Sequence, residues 1–303
     1  MSEKQTQDDI SSSNINDSLY EISQIIQNFN KINIKGIEPT TTNINKNIFD
    51  QDLSIVIEEL VGLILKELNE GVYNEVIKKH VINFIIDHGI ISQEIYNYLL
   101  NNQNNSNFIY LLGYFYYHGI ETNIDMQKAY ELYQKAIKLN NNNVVARLDL
   151  AEMYILGKGV ESNQINRNKA FELSKKLAEE GIPNAINKLG YCYEKGIGTY
   201  ADWQKAFEFY QKAAELGNST GINNYGYCYY NGIGIDVNKQ KGFELYQKGA
   251  KLNNYIAQYN LASMYENGNG IIKDIDQAIY WYKKSAEQGY NYAQDKVEML
   301  SEK

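Results

Sequence analysis

Two stretches of closely spaced glycines are the best candidates for chemistry in this sequence. The first is GYCYEKGIGT, from Gly190 to Thr199, and GYCYYNGIGI follows from Gly226 to Ile235. Glycine-rich loops bind phosphate groups when they join a β-strand to a helix, as in the G-x-x-x-x-G-K-[ST] loop. The nearest match, YILGKGVES, has Gly159 where Ser or Thr is required, and it follows a helical pattern rather than a strand. The glycines therefore predict turns and not a nucleotide site.

Histidines and cysteines, the other chemically versatile side chains, are few. His80, His88 and His118 form no H-E-x-x-H or Cys/His pattern, so capping or surface roles are expected for them. Cys192 and Cys228 occupy an apolar position of a repeating pattern, which favours a place in the core. The sequence also lacks the kinase motifs H-R-D and D-F-G. No catalytic residue, cofactor or metal ion is therefore expected, and the chain is predicted not to be an enzyme.

Both glycine stretches belong to a unit that recurs along the chain. Five similar units follow one another, and the last three begin 36 residues apart. The aligned units begin at Phe108, Ala146, Ala185, Gly221 and Ala257. A repeat of this length is typical of stacked helical hairpins.

Each unit predicts two helices, which we name helix A and helix B, joined by a glycine turn. In the third unit, Gly190 lies in helix A, where a small residue lets a neighbouring helix approach closely. Tyr210 lies in helix B, where its ring fills the space between the two helices. Gly196 and Gly198 end helix A and turn the chain. The sequence therefore predicts an all-α fold.

The whole unit resembles a known repeat. The pattern A-x-x-x-L-G-x-x-Y-x-x-G-x-G, a short polar loop and K-A-x-x-W/F/L-Y-x-K-A-A-x-x-G resemble the Sel-one-like (Sel1-like) repeat, a subfamily of tetratricopeptide-like helical hairpins. The resemblance covers five copies from Phe108 to Gly289. It implies a right-handed α-solenoid of helix-turn-helix repeats. The block from Asp52 to Gln103 resembles helical segments that precede such repeats in fungal proteins, some of which carry a kinase-like domain.

Several units depart from the pattern. Glu121 replaces the second turn glycine in the first unit, and Ala151 and Ala262 replace the helix A glycine in the second and fifth. Gly242 and Gly249 lie in helix B of the fourth unit, where Ala is usual. Each glycine costs roughly 0.5–1 kcal/mol relative to Ala in a helix. The fourth hairpin is therefore predicted to be the least stable.

The domain boundaries follow from these patterns. Residues 1–50 are predicted to be a disordered and linker region that includes a short amphipathic helix, and residues 51–107 a helical N-terminal region. Residues 108–289 are assigned to the five repeats, and residues 290–303 to a C-terminal capping helix.

Composition limits the possible partners and locations. The formal net charge is −8 and no strongly basic block occurs, so nucleic acid is not an expected partner. The N-terminal stretch has no apolar segment of the secretory type, and no apolar run approaches the ~20 residues of a membrane span. Membrane insertion is therefore not expected, and a cytoplasmic location is.

The resemblance also indicates where a partner would bind, because helix A lines the concave surface of tetratricopeptide-like superhelices. At helical spacing, the third, seventh and tenth positions of helix A lie opposite its apolar side. We name these positions the inner surface. They are Tyr110, Tyr114, Tyr117, Leu148, Glu152, Ile155, Asn187, Tyr191, Glu194, Asn223, Tyr227, Tyr230, Tyr259, Ser263 and Glu266.

Tyrosine gives this surface large contact areas and hydroxyl groups suited to protein recognition. An alternative is that several of these tyrosines only pack between adjacent repeats. The residues predicted to contact a protein partner are Tyr114, Glu152, Tyr191, Glu194, Tyr227, Tyr230 and Tyr259.

The resulting functional hypothesis is a non-enzymatic scaffold or adaptor that binds proteins or peptides, with intracellular signalling as one setting. Two alternatives stay open. The first is a regulatory relative of a kinase-linked repeat protein that has lost its kinase domain. The second is an adaptor in an endoplasmic-reticulum-associated degradation complex.

Overall fold

Helices make up the regular structure throughout a computed structural model that describes residues 40–301, with side chains for residues 52–301. This range contains fourteen α-helices and no β-strand, which confirms the predicted all-α fold. The packed unit that contains the repeats begins at Asp52. In chain order the helices are α1 (Thr40–Glu70), α2 (Asn74–Asp87), α3 (Ser92–Asn101), α4 (Ser106–His118), α5 (Met126–Leu139), α6 (Val144–Leu156), α7 (Gln164–Glu179), α8 (Pro183–Lys195), α9 (Trp203–Glu215), α10 (Ser219–Asn231), α11 (Lys239–Lys251), α12 (Tyr255–Asn267), α13 (Ile275–Glu287) and α14 (Asn291–Ser301).

Five hairpins, from α4–α5 to α12–α13, form the repeats. Each helix packs against the next in the chain, and α14 packs on α13. The A helices α6, α8, α10 and α12 also contact one another in succession. The repeats therefore stack side by side as a solenoid, with helix A of each unit against helix A of the next.

The turn between the helices explains the glycine pair. Gly196 and Gly198 both have left-handed backbones, with φ of 65° and 67°. A Cβ atom on Gly198 would overlap the Arg167 carbonyl and lie 2.7 Å from Cβ of Phe171, in helix B of the preceding repeat. Glu121 takes the same left-handed conformation, with φ of 54°. Its side chain is exposed.

A tyrosine fills the space between helices A and B in four repeats. Tyr133, Tyr210, Tyr246 and Tyr282 are all buried, and Ser174 takes their place in the second repeat. Three of the rings, those of Tyr133, Tyr210 and Tyr246, lie against a helix A glycine, so that a Cβ on Gly190 would stand 2.9 Å from two Tyr210 ring carbons. The close-packing role predicted for Gly190 is therefore confirmed.

The N-terminal region follows its apolar pattern, but its first helix is longer than predicted. Leu53, Leu60 and Leu68 are buried along α1, at the spacing that predicted the helix. The segment predicted as a linker is helical from Thr40 onward, because α1 begins there. Asn and Thr weaken a helix without preventing it, and a helix already nucleated by an apolar segment extends into such residues at little cost. The amphipathic helix predicted near Leu19, and the disorder predicted for residues 1–18, lie outside the described residues.

The structure confirms the prediction made for the two cysteines and contradicts the one made for His118. Cys192 and Cys228 are buried and free, as predicted, and burial raises the pKa of both thiols to about 12. His118 is not on the surface. It lies buried beside the rings of Tyr114 and Tyr117, and burial, with the charge of Lys78, lowers its pKa to about 3.

Candidate functional site

The inner surface is covered at one end and open at the other. In the first repeat, Tyr110, Tyr114 and Tyr117 are all buried. In the fourth, Tyr227 is 43% exposed. Exposure of the predicted contact residues therefore increases from the first repeats towards the fourth.

The N-terminal helices cover the first two repeats. Tyr114 is 3% exposed and shares one apolar core with residues of α1 and α2, and its hydroxyl has no hydrogen-bond partner among the described residues. Asn74, the first residue of α2, donates a 3.0 Å hydrogen bond to Glu152. Lys78 donates to the backbone carbonyl of His118 at 2.6 Å. Tyr114 and Glu152 thus contact the chain's own N-terminal region in this structure.

A group of charged side chains lies beneath this cover. The Tyr110 hydroxyl donates to Asp149 at 2.9 Å. Burial, together with the negative charge of Glu152, raises the pKa of Asp149 to about 7. Burial would also raise the pKa of Glu152, but the charge of Lys188 and its hydrogen bond outweigh burial and lower it. Beside this group is a cavity of about 10 Å³, which has room for roughly one water molecule and not for a substrate.

The last residues of α1 and the link to α2, residues 68–73, reach further along the repeats. We name this segment the corner. Asn184, in the first turn of α8, donates a 2.8 Å hydrogen bond to the Leu68 carbonyl. Asn218, the N-cap of α10, donates to the Asn69 carbonyl at 3.0 Å. The corner therefore binds the third and fourth repeats through its main chain.

The open part of the inner surface holds four of the predicted tyrosines. Tyr227 is the most exposed, and Tyr191 lies at the equivalent position one repeat earlier, with Lys195 over its ring at 5.8 Å. The Tyr230 hydroxyl accepts a 2.9 Å hydrogen bond from Asn269. Tyr259 packs against Tyr282 with ring centroids 5.3 Å apart. These partly exposed rings are held in place by neighbouring side chains.

Glu194, also predicted to contact a partner, has structural partners in the chain. Its carboxylate accepts a 2.7 Å hydrogen bond from Tyr210 and pairs with Lys195 at 2.6 Å. Its charge is therefore largely neutralised within its own repeat.

The fourth position of helix A is a feature that the sequence interpretation missed. Asn224 in α10 donates a 3.0 Å hydrogen bond to Asn187 in α8, and Asn260 in α12 donates one of 3.0 Å to Asn223 in α10. Each bond joins the fourth position of one repeat to the third position of the repeat before it. The sequence did contain an indication of these bonds, because the third and fourth positions of helix A both carry Asn in the fourth repeat. These amides form a polar line between the exposed tyrosines.

In residues 52–301, no group of three His, Cys, Asp or Glu side chains is placed to hold a metal ion. Within the same range, no helix combines the length and the apolar character needed to cross a membrane. The open inner surface offers aromatic rings, hydroxyls and amides, which are groups that contact polypeptides well.

Five consecutive segments match the family model of the Sel1 repeat, and together they make up more than half of the chain. The matched segments are residues 106–141, 144–182, 183–218, 219–254 and 256–290. They coincide with the five hairpins of the structure.

Solved structures with the same repeat are similar to this chain. A Sel1 repeat protein from Oxalobacter formigenes is 30% identical, with a TM-score of 0.59, and the match covers 73% of this chain and 89% of that one. A protective antigen present in uropathogenic Escherichia coli strains and displaying an SLR fold is 31% identical, with a TM-score of 0.50. That match covers 69% of this chain but only 44% of the antigen. No curated protein sequence matches this chain significantly.

Proposed function

The chain belongs to the Sel1 repeat family, and on this premise we propose that it is a non-enzymatic scaffold that binds protein segments on the open part of its inner surface. The proposal places the contact on Tyr191, Tyr227, Tyr230 and Tyr259. The first two repeats contribute less, because the N-terminal helices already cover them.

The observation that carries this proposal is the exposure of Tyr227 within a row of fixed aromatic and amide groups. Tyr227 is 43% exposed, while hydrogen bonds or ring contacts hold Tyr191, Tyr230 and Tyr259 around it. Rigid tyrosines lose little conformational entropy on binding and provide both apolar area and a hydroxyl. Such residues are enriched among those that dominate binding energies.

The charges near this row favour a partner that is recognised without strong electrostatic attraction. Glu194 pairs with Lys195 at 2.6 Å, and Glu266 pairs with Lys296 at 2.9 Å. Paired charges contribute little long-range attraction, and salt screens what is left. Binding is therefore expected to change little between low and moderate salt concentrations.

A protein partner in a reducing compartment fits the rest of the chain. The net charge of −8 opposes binding to the phosphate backbone of nucleic acids. Cys192 and Cys228 are free thiols in the core, which suits the cytoplasm, where disulfides are rare. An intracellular adaptor or signalling role is part of this proposal.

Selection from a random peptide library displayed on phage tests the proposal with a defined probe. The selected peptides should bind the native chain and lose at least tenfold in affinity when Tyr191, Tyr227 and Tyr230 are all replaced by Ala. The matched control replaces Tyr200 and Tyr280 by Ala, because these tyrosines are 94% and 50% exposed and lie away from the inner surface. Equal loss in both variants, or no loss in the first, would contradict the proposal.

A further inference from the structure

The corner between α1 and α2 is held by a set of hydrogen-bond donors that recognise only main-chain oxygens. Ser219 and Thr220, at the start of α10, donate to the Gly71 carbonyl at 3.0 and 2.9 Å. Asn184 and Asn218 donate to the preceding carbonyls of Leu68 and Asn69. We name Asn184, Asn218, Ser219 and Thr220 the donor row. Two of its acceptors, the carbonyls of Leu68 and Asn69, lie in the last turn of α1, where helix carbonyls lack the usual intrahelical partner, and the third, that of Gly71, directly follows the helix.

Two members of the donor row, Ser219 and Thr220, are also bound by the next repeat. Asn254, the N-cap of α12, donates to the oxygen atoms of Ser219 and Thr220 at 3.4 and 3.3 Å. Each hydroxyl therefore has its own hydrogen directed towards Gly71.

Ser106 shows that this arrangement is special to the fourth repeat. Ser106 is the first residue of α4, at the position equivalent to Ser219 in α10, and it also accepts from an N-cap Asn, Asn143, at 2.7 Å. Its hydroxyl donates to the carbonyl of Ala136, in its own hairpin. Ser219 instead donates to a segment from outside the repeats.

Helix dipoles also favour the C-terminal end of a helix at the donor row. The corner presents the C-terminal end of α1, which carries partial negative charge, to the N-terminal ends of α8 and α10, which carry partial positive charge. Any helix that ends at this place would gain the same attraction and the same hydrogen bonds.

The corner is attached to the later repeats by these hydrogen bonds and by one aromatic contact, in which the Tyr73 and Tyr255 ring centroids lie 4.4 Å apart. The buried apolar side chains of α1, α2 and α3 share a core with the first two repeats and with Ala185. The apolar clusters of the later repeats contain none of these N-terminal side chains. Asn69 and Asn184 each keep a buried side-chain oxygen without a hydrogen-bond partner among the described residues. Release of the corner would separate Tyr73 from Tyr255 and expose the buried Leu68, and it would free two poorly satisfied amides.

We propose that the donor row is a binding site for the C-terminal end of an α-helix, that the corner fills it in the resting chain, and that the helix end of a partner protein takes the corner's place. This inference rests on the protein-binding role proposed above. It adds that the inner surface extends to the donor row once the corner is released.

Gly71 allows the corner to be released selectively. Its φ is 75°, and a Cβ atom there would lie 2.7 Å from the Thr220 nitrogen and 2.9 Å from the Ser219 nitrogen. Gly89 has a similar φ of 67° but no atom within 4 Å of a Cβ. Gly71→Ala therefore adds a collision with the fourth repeat, while Gly89→Ala adds only comparable backbone strain.

Hydrogen exchange on the full chain tests whether the corner is a separate element. In Gly71→Ala, residues 68–73 should exchange at least tenfold faster, while α13 keeps its native rate. Gly89→Ala should leave residues 68–73 unchanged. An unchanged corner in Gly71→Ala, or faster exchange across all repeats, would overturn the inference. Should Gly71→Ala not fold, the double variant Ser219→Ala and Thr220→Val gives the same test, because it removes two donors without adding bulk at the corner.

Binding of a synthetic peptide with residues 58–73 of this chain tests the exchange of occupants. The peptide should bind Gly71→Ala at least tenfold more tightly than it binds the native chain or Gly89→Ala. Adding Ser219→Ala and Thr220→Val to Gly71→Ala should abolish that gain. Equal binding by all chains, or a gain that survives loss of both hydroxyls, would overturn the inference. The peptide assay does not use Tyr191, Tyr227 or Tyr230, so its failure is separate from failure of the proposed function.

Discussion

The hydroxyl of the buried Tyr210 donates a 2.7 Å hydrogen bond to the carboxylate of Glu194, sixteen residues earlier in the same repeat. The fifth repeat has the same bond, also of 2.7 Å, between Tyr282 and Glu266. In the fourth repeat the position of the carboxylate is taken by Tyr230, whose ring centroid lies 6.3 Å from that of Tyr246. The repeats therefore offer the same buried tyrosine with and without a charged acceptor.

Tyr210→Phe should lower the free energy of unfolding by about 1–2 kcal/mol, because it removes a hydrogen bond to a charged group. Tyr246→Phe is the matched control and should cost less than about 0.5 kcal/mol, since no carboxylate stands at the equivalent position. Urea unfolding followed by circular dichroism measures both changes. Equal losses in the free energy of unfolding for the two variants would show that the hydrogen bond to the carboxylate adds nothing to stability.

Much of the fold was predictable because the same interactions recur in every repeat. Gly190 and Tyr210 meet inside one hairpin, so their positions appear in the sequence at a constant spacing. The cover over Tyr114 was not predictable in this way. It depends on contacts between α1, α2 and distant repeats, and these contacts occur once, with no repeated spacing to reveal them.

Gly190→Ala should destabilise the chain by about 1–3 kcal/mol, although Ala is the better helix former. The added methyl group would lie 2.9 Å from the Tyr210 ring, and overpacking of this kind outweighs the gain in helix propensity. Gly62→Ala is the control, because Gly62 is exposed within α1 and has no atom within 4 Å of a Cβ. It should stabilise the chain by about 0.5–1 kcal/mol. Thermal unfolding that shifts both variants in the same direction would contradict this prediction.

The open tyrosines were predictable from helical spacing, but the state of their neighbours was not. The spacing placed Tyr227 on the side of helix A away from its apolar face, and it is the most exposed residue of the inner surface. The same spacing also predicted that Glu194 contacts a partner. Its carboxylate instead accepts a hydrogen bond from Tyr210 and forms an ion pair with Lys195. Side-chain pairing depends on which residues meet in three dimensions, and periodicity within one helix does not contain that information.

Asp149→Asn should increase stability at pH 8 by about 1–3 kcal/mol and flatten its dependence on pH. The pKa of Asp149 is raised from 3.8 to about 7 in the folded chain. Between pH about 4 and pH about 7, the folded state thus holds a proton that the unfolded state has lost, so stability falls as pH rises. Asn has no proton to lose and still accepts the hydrogen bond from Tyr110.

Urea unfolding at pH 5 and pH 8 checks this prediction. The other charged groups that act on Asp149 and Glu152 are Lys188 and Lys158. A variant that is less stable than the native chain at pH 8 would show that the charge of Asp149 is needed in the fold.

Helix α11 should exchange its amide hydrogens faster than the second helix of any other repeat. Gly242 and Gly249 lie within it, and each costs roughly 0.5–1 kcal/mol relative to Ala in a helix. Hydrogen exchange followed by mass spectrometry compares α11 with α5, α7, α9 and α13 in one experiment. Protection of α11 equal to that of α9 would mean that close packing compensates for the glycines. Such packing is present, since a Cβ on Gly249 would lie 2.8 Å from Cβ of Ala257.

The corner also sets an order of events during synthesis. Gly71 emerges from the ribosome 148 residues before Ser219, its hydrogen-bond donor. At roughly 5–20 residues per second, the corner waits roughly 7–30 s for its partners. The remaining parts of α1, α2 and α3 can pack earlier, because they share an apolar core with the first two repeats, which are synthesised sooner. In a newly made chain the corner is therefore among the last contacts to close, and a ribosome that stalls before the fourth repeat leaves it open.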